Sequence, residues 1–207
     1  MTIKLTDDFN RADSDTVGNG WTESEVAAGY IKIESNTLRL GAITNSNPTI
    51  YKSHGTLVYP IVASWKISSH ATGGRRIWTS IETDGTGNGF GCGIRFGTNV
   101  SNNVTVQTGD KSTSVQVDLT GAGPYYVWFD VTENGSNFDV DLYISTSSTK
   151  PGTPTASVTN GTGINDGDDF RISGDGFSGG QDINYDYVLI VDSGTPPAVG
   201  KSFAQII

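Results

Sequence analysis

The chain has one cysteine, one methionine, two histidines and seven prolines in 207 residues. A single thiol, Cys92, excludes an internal disulfide framework. Neither histidine, His54 or His70, has a nucleophile and partner close by in sequence, so an acyl-transfer triad has no support. Cations are scarce too: 13 Lys and Arg stand against 22 Asp and Glu, a formal net charge of −9. Affinity for nucleic acid rests on neutralising phosphates, and this balance leaves no basic footprint, so no nucleic-acid partner is expected. No apolar run reaches the length of a membrane-spanning helix, and no membrane partner is expected. Met1-Thr2-Ile3-Lys4 leads into a strand pattern without a signal-peptide core, so synthesis in a cytoplasm is expected, with any exit by lysis. The N-x-S/T sequons at Asn99, Asn103, Asn134 and Asn160 are then loop composition.

Sustained 3.6-residue periodicity is also missing, and what replaces it is a β-and-turn pattern. The 27 Gly, together with Ser, Thr and Asn, separate short alternating apolar runs. Asp7-Asp8-Phe9-Asn10-Arg11-Ala12-Asp13-Ser14, continuing to Gly18-Asn19-Gly20-Trp21, is too rich in Asp, Asn and Gly for a helix, yet carries two aromatic anchors. It reads as an edge strand followed by a long ordered loop. Tyr30 to Glu34 and Thr37 to Leu40 alternate about Ser35-Asn36 and predict a hairpin. Leu57 to Ile67 is a long strand signal in which Pro60 predicts an edge, bulge or break. Arg75 to Glu82 and Phe90 to Phe96 flank the turn Asp84 to Gly89, and Gly91 and Gly93 predict a close approach on their face. Val104 to Gln107 and Ser114 to Leu119 form a weaker pair. Tyr125 to Thr132 and Phe138 to Ser145 flank Glu133-Asn134-Gly135-Ser136, and Asn-Gly between alternating runs is a strong hairpin signal. Residues 145–160 read as a Ser/Thr/Pro/Gly-rich connection, and Phe170 to Ser173 with Tyr185 to Asp192 close the pattern. Many short strands separated by turn signals predict an all-β antiparallel two-sheet sandwich or jelly roll. One domain over 1–195 is expected, followed by a tail over 196–207 with apolar residues at its tip that is disordered or docks on a neighbour.

The ordered set Asp8-Phe9-Asn10-Arg11, Gly18 to Trp21, Ser35 to Leu40, the Tyr125 to Val131 and Phe138 to Ile144 runs, and Asp186-Tyr187-Val188-Leu189-Ile190 resembles the concanavalin A-like lectin/glucanase superfamily, including its laminin-G-like modules. The resemblance covers nearly the whole chain. It implies a jelly roll with its first and last strands paired, so that Asp7-Asp8-Phe9 lies beside Asp186-Tyr187-Val188. It also implies one concave sheet. Proteins of this superfamily serve as carbohydrate-binding modules, as glycosidases and as parts of phage particles.

Three sites follow as expectations. The resemblance places Asp186 where the glucanase branch holds Ca²⁺, with Asp7 and Asp8 as neighbours, and a hard cation needs such oxygens. The competing expectation is that Asp186 bonds a loop or pairs with Arg11. Glu82-Thr83-Asp84-Gly85-Thr86-Gly87 begins the E-x-D-x-x-E pattern of retaining glycosidases but has Gly87 at the second glutamate, so no catalysis is expected. Alternation turns Ile77, Ile81, Val127, Phe129, Val140 and Leu142 inward. Arg76, Trp78, Glu82, Arg95, Tyr126, Trp128, Asp130, Asp139, Asp141 and Tyr143 then face outward, and if their strands share one sheet they form a glycan face of flat rings and polar groups. The competing expectation is that Trp78 and Trp128 lie beneath a loop or pack a neighbouring subunit. Cys92 shares the face of Phe90, Ile94 and Phe96, where a buried, inert thiol is expected.

The resulting expectation is a non-catalytic binding protein of a phage virion surface, a capsid decoration, head-fibre or tail-associated protein. It would contact neighbouring virion proteins or copies of itself, and host cell-surface glycans. A stand-alone carbohydrate-binding module is the alternative, and a glycoside hydrolase-like enzyme with a degenerate motif the third reading.

Overall fold

A computed structural model describes residues 2–25, 28–41, 48–70, 76–82, 90–96, 103–121, 123–162, 169–175 and 182–193. In chain order its strands are β1 (Thr2–Asp7), β2 (Thr22–Ser24), β3 (Ile31–Glu34), β4 (Thr37–Leu40) and β5 (Thr49–Ser53). There follow β6 (Ile61–His70), β7 (Arg76–Glu82), β8 (Phe90–Arg95), β9 (Val104–Gln107) and β10 (Ser112–Val115). The last five are β11 (Tyr125–Asn134), β12 (Asn137–Ser145), β13 (Ala156–Thr162), β14 (Asp169–Asp175) and β15 (Ile183–Asp192). No helix occurs among the described residues.

The strands form two antiparallel sheets. One has eight strands, in the order β13-β12-β11-β6-β15-β4-β3, with β1 added along β15. The other has seven, in the order β10-β9-β8-β7-β14-β5-β2. Alternating side chains of both close on one core, in which Ile67, Phe129, Val188 and Ile190 of the first sheet meet Ile50, Ile77, Ile94 and Ile172 of the second. Burying each side chain of this kind stabilises the fold by about 1.5–3 kcal/mol.

Turn chemistry sets the hairpins. Ser35 and Asn36 both have positive φ, 52° and 60°, which a type I′ turn requires. In the β11–β12 hairpin the ladder runs on to Asn134 opposite Asn137, so the turn is the pair Gly135-Ser136, with Gly135 at φ 69°. Pro60 breaks the long strand signal, and β6 starts at Ile61. The stretch read as a connection contains most of β13, an edge strand whose inward residues Ala156 and Val158 are its only apolar ones. The short β2 and β5 also escape the alternation pattern, since only Ile50 of the two is apolar and buried.

First and last strands pair as the resemblance implies: Thr2 stands opposite Asp192 and Asp7 opposite Val188. The chain then leaves the sheet at Asp7, whose side chain turns inward. Its Oδ1 accepts from the Phe9 N–H (2.8 Å) and Arg11 Nη1 (2.8 Å). Its Oδ2 accepts from Arg11 Nη2 (3.1 Å), Asn19 Nδ2 (2.9 Å) and the Trp21 indole (2.8 Å). This hub holds Phe9 in a left-handed backbone conformation (φ 53°) and seats Phe9 and Trp21 in the core, their rings 5.8 Å apart. Both anchors expected from the sequence are therefore buried. Burial alone would raise the Asp7 carboxyl, but Arg11, the Phe9 amide, Trp21 and Asn19 together hold it below its ordinary value.

Two consequences are measurable by denaturant unfolding. Asp7→Asn should cost about 3–5 kcal/mol by stranding Arg11, and Trp21→Phe about 1–3 kcal/mol by removing one donor. A carboxyl depressed in the folded state contributes stability above its unfolded pKa of about 3.9, lost as pH falls through the folded value. Wild-type stability should therefore drop more steeply below about pH 4 than that of Asp7→Asn. Parallel pH profiles would contradict the hub.

Candidate functional site

Alternation along the central strands puts Ile77, Ile81, Val127, Phe129, Val140 and Leu142 in the core, as read from the sequence. The outward residues do not share a sheet. β7 and β8 belong to the seven-stranded sheet, whereas β11 and β12 continue from β6 in the eight-stranded one. Trp78 and Arg95 thus stand on one outer face, and Tyr126, Trp128, Asp130 and Tyr143 on the opposite face. The single glycan face expected from alternation is corrected to two. Arg76 and Glu82 keep their places in the β7 ladder, while their side chains, and residues 83–89 with the rest of the broken glycosidase pattern, lie outside the described residues.

The face of the eight-stranded sheet is already occupied by its own side chains. Trp128 is 1% exposed and stacks on Tyr126 at 6.2 Å between ring centroids. Lys66 sits over Tyr126 at 5.7 Å and pairs with Asp186. Lys150 sits over Tyr143 at 4.0 Å and pairs with Asp130. Burial lifts the Asp130 carboxyl above its ordinary value, Lys150 pulls it down, and Asp141, directly across in the ladder, pushes it up again. Beside this row Val62, Leu189 and Val191 form a small apolar cluster with Tyr187. A saccharide approaching these rings would first have to displace two lysines from carboxylates.

The face of the seven-stranded sheet is built differently. Gly93 stands opposite Trp78 in the β7–β8 ladder, and Gly91 is its neighbour on the same face. A Cβ on Gly91 would meet the indole at 2.9–3.0 Å, closer than real Cβ atoms approach. Gly91 is what lets Trp78 lie down on the sheet, a close approach of the kind that the glycine spacing predicts. Trp78 remains partly exposed. Across β14, Ser173 stands opposite Trp78 and Arg171 opposite Ser80. The Arg171 guanidinium lies 5.3 Å from the Tyr51 ring, and Thr105 bonds Ser114 at 2.9 Å on the far side. The surface therefore combines flat rings, a guanidinium and the hydroxyls of Ser173 and Ser114, while Ser80 and Thr105 are buried. Tyr51 and Arg171 are additions to the residues singled out from the sequence. Tyr51 lies on a strand with one buried apolar residue, and Arg171 sits in a recognised strand whose outward face had no assigned neighbour. Beneath, Cys92 is buried and its thiol is pushed up by burial, so it is inert as expected.

The two sheets are arranged as in the concanavalin A-like lectin and glucanase jelly rolls. No protein-family model matches the chain, and no curated protein matches it. Among solved structures it is similar to a prokaryotic β-1,3-1,4-glucanase (lichenase) from a mouse hindgut metagenome, at 11% identity and TM-score 0.60, over 91% of this chain and 99% of that one. The CBM2 module of the evolved Dit of Lactobacillus casei BL23 phage J-1 matches at 13% identity and TM-score 0.58, over 93% and 97%. The exoplasmic/lumenal domain of VIP36, in a Ca²⁺/Man3GlcNAc-bound form, matches at 9% identity and TM-score 0.58, over 90% and 88%. Likeness at these TM-scores over most of each chain shows the fold alone: the chain has the fold of a concanavalin A-like β-sandwich.

A bound cation in one of these structures makes the three acids Asp7, Asp8 and Asp186 worth testing as a metal site. They do not fit one. Asp7 spends both oxygens on five N–H donors inside the fold, and Asp8 accepts from the Asn10 amide at 3.1 Å. Asp186 lies at a bulge of β15 and pairs with Lys66 on the outer face. Register brings Asp7 and Asp186 close along the strands, but their carboxylates point to opposite sides of the sheet. No group of three or more potential ligands occurs among the described residues. The expected Ca²⁺ set is thereby corrected to two ion pairs and a turn. The stability difference between wild type and Asp186→Asn should be the same in calcium and in chelator. A site held at a hundred times its dissociation constant adds about 2.7 kcal/mol, so a difference of that size appearing only with calcium would make Asp186 a ligand.

Proposed function

We propose that the protein is a non-catalytic carbohydrate-binding sandwich carried on a phage virion, with the outer face of the seven-stranded sheet as its binding surface. The observation that carries this reading is Trp78 lying on Gly91 with part of the indole still exposed. Sugars stack their apolar C–H faces on such rings while polar groups take the hydroxyls. Arg171 and Ser173 supply those polar groups around the ring. The solved structures of like fold that carry a saccharide or are carbohydrate-binding modules support the same use, and one of those modules comes from a phage Dit. Gly87 in place of the second carboxylate of the glycosidase pattern supports binding without turnover.

A glycan array followed by calorimetry tests the site. Trp78→Ala should lower affinity at least tenfold, about 1.4 kcal/mol, with a melting midpoint close to wild type. Tyr126→Ala, on the closed face, should leave affinity unchanged. Loss with Tyr126→Ala and not with Trp78→Ala would move the site to the other sheet. The virion setting has its own check: the protein should co-sediment with intact particles, and recovery only from the soluble lysate would remove it from the particle.

A further inference from the structure

We propose that the carbohydrate taken by this face is an acidic one, whose carboxylate or sulfate group is held by Arg95 while a sugar ring lies on Trp78. This inference rests on the face being a glycan site. Its starting point is how the other described cations are spent. Arg11 holds Asp7, Arg39 holds Asp182 and Glu34, Lys4 holds Asp192, Lys66 holds Asp186 and Lys150 holds Asp130. Lys32 holds Glu34, Lys52 lies over the Trp21 ring, Lys111 bonds the Thr159 and Asn160 carbonyls, and Arg171 lies against the Tyr51 ring. Arg95 has no such partner: it makes no ion pair or side-chain hydrogen bond among the described residues, and its Nε–H is buried without an acceptor.

Its position gives that vacancy a use. Arg95 stands opposite Arg76 in the β7–β8 ladder, one step along the same face from Gly93 and Trp78. Diagonal neighbours of this kind lie about 7–8 Å apart, a span that one pyranose ring bearing an acidic substituent covers. Like charges directly opposite are unfavourable unless an anion offsets them. In the β7–β14 ladder Asp175 stands opposite Arg76 on its other side. Along the two central rows the remaining outward positions are hydroxyls, glycines, Gln107, Tyr51 and Arg171, and the acidic register positions Glu82, Asp169 and Asp175 fall in the rows at either end. The opposite face carries Asp130, Asp141 and Asp186. A guanidinium fork matches planar carboxylate and sulfate oxygens with paired N–H donors, which a neutral sugar does not offer.

Calorimetric titrations with oligogalacturonate, a heparin-derived oligosaccharide and a cello-oligosaccharide separate the outcomes. At least one acidic ligand should bind more tightly than the neutral one, and its affinity should fall about tenfold or more between 0.05 and 0.5 M salt as surface charge attraction is screened. Arg95→Gln and Arg95→Ala should each weaken that ligand at least tenfold while leaving any cello-oligosaccharide binding unchanged. The acidic ligand that binds identifies the group as uronate carboxylate or sulfate. Cello-oligosaccharide bound best, lost in Trp78→Ala and unaffected by Arg95→Gln, would overturn the acidic ligand while keeping the glycan site. No titratable binding of any of the three, or binding indifferent to Trp78→Ala, would overturn both.

Discussion

One buried carboxylate organises the start of this fold. Asp7 ends the strand that closes the sandwich against β15, and its oxygens gather donors from Phe9, Arg11, Asn19 and Trp21. A charge in that position is tolerated because every oxygen is bonded and a guanidinium faces it. The reward is structural reach. Trp21, fixed through its indole N–H, packs edge-on to Phe170 at 6.4 Å, and Phe170 in turn meets Trp65 of the other sheet at 6.0 Å. The acid thus links the edge of the eight-stranded sheet to β14, whose next residue, Arg171, is part of the opposite surface.

From that core the two outer faces diverge in chemistry. On the eight-stranded sheet, aromatic rings, lysines and aspartates satisfy one another, and Trp128 is closed to water. Such a face is finished. On the seven-stranded sheet the strand that packs its core with Phe90, Cys92 and Ile94 presents Gly91, Gly93 and Arg95 outward, and Trp78 spreads over Gly91. The same alternation that builds the core therefore builds the platform: apolar residues on one side of β8, and two glycines followed by Arg95 on the other.

Much of this was legible from residues. The hairpins announced themselves through Ser35-Asn36 and Asn134-Gly135, and period two sorted Ile77, Val127 and Val140 inward. The glycines of β8 marked a close contact before its partner was known. What stayed hidden is which sheet each strand joins. Alternation says in or out and is blind to whether two outward faces coincide, so Trp78 and Trp128 looked like one site. A similar ambiguity joined Asp7 to Asp186: strand pairing puts them close in register, but the bulge in β15 and the inward turn at Asp7 aim them apart. β13 was hidden for a compositional reason, since an edge strand with two inward apolar residues among Ser, Thr and Asn reads like a linker.

The central claim is that the seven-stranded face, not its opposite, meets the ligand. Chemical-shift mapping of the ¹⁵N-labelled protein titrated with an oligosaccharide that binds tests it most directly. Shifts should concentrate on the Trp78 indole N–H, the Gly91 and Gly93 amides and the Arg95 side chain, with Trp128 and Tyr143 silent. Shifts clustered instead at Tyr126, Trp128 and Tyr143 would contradict the account.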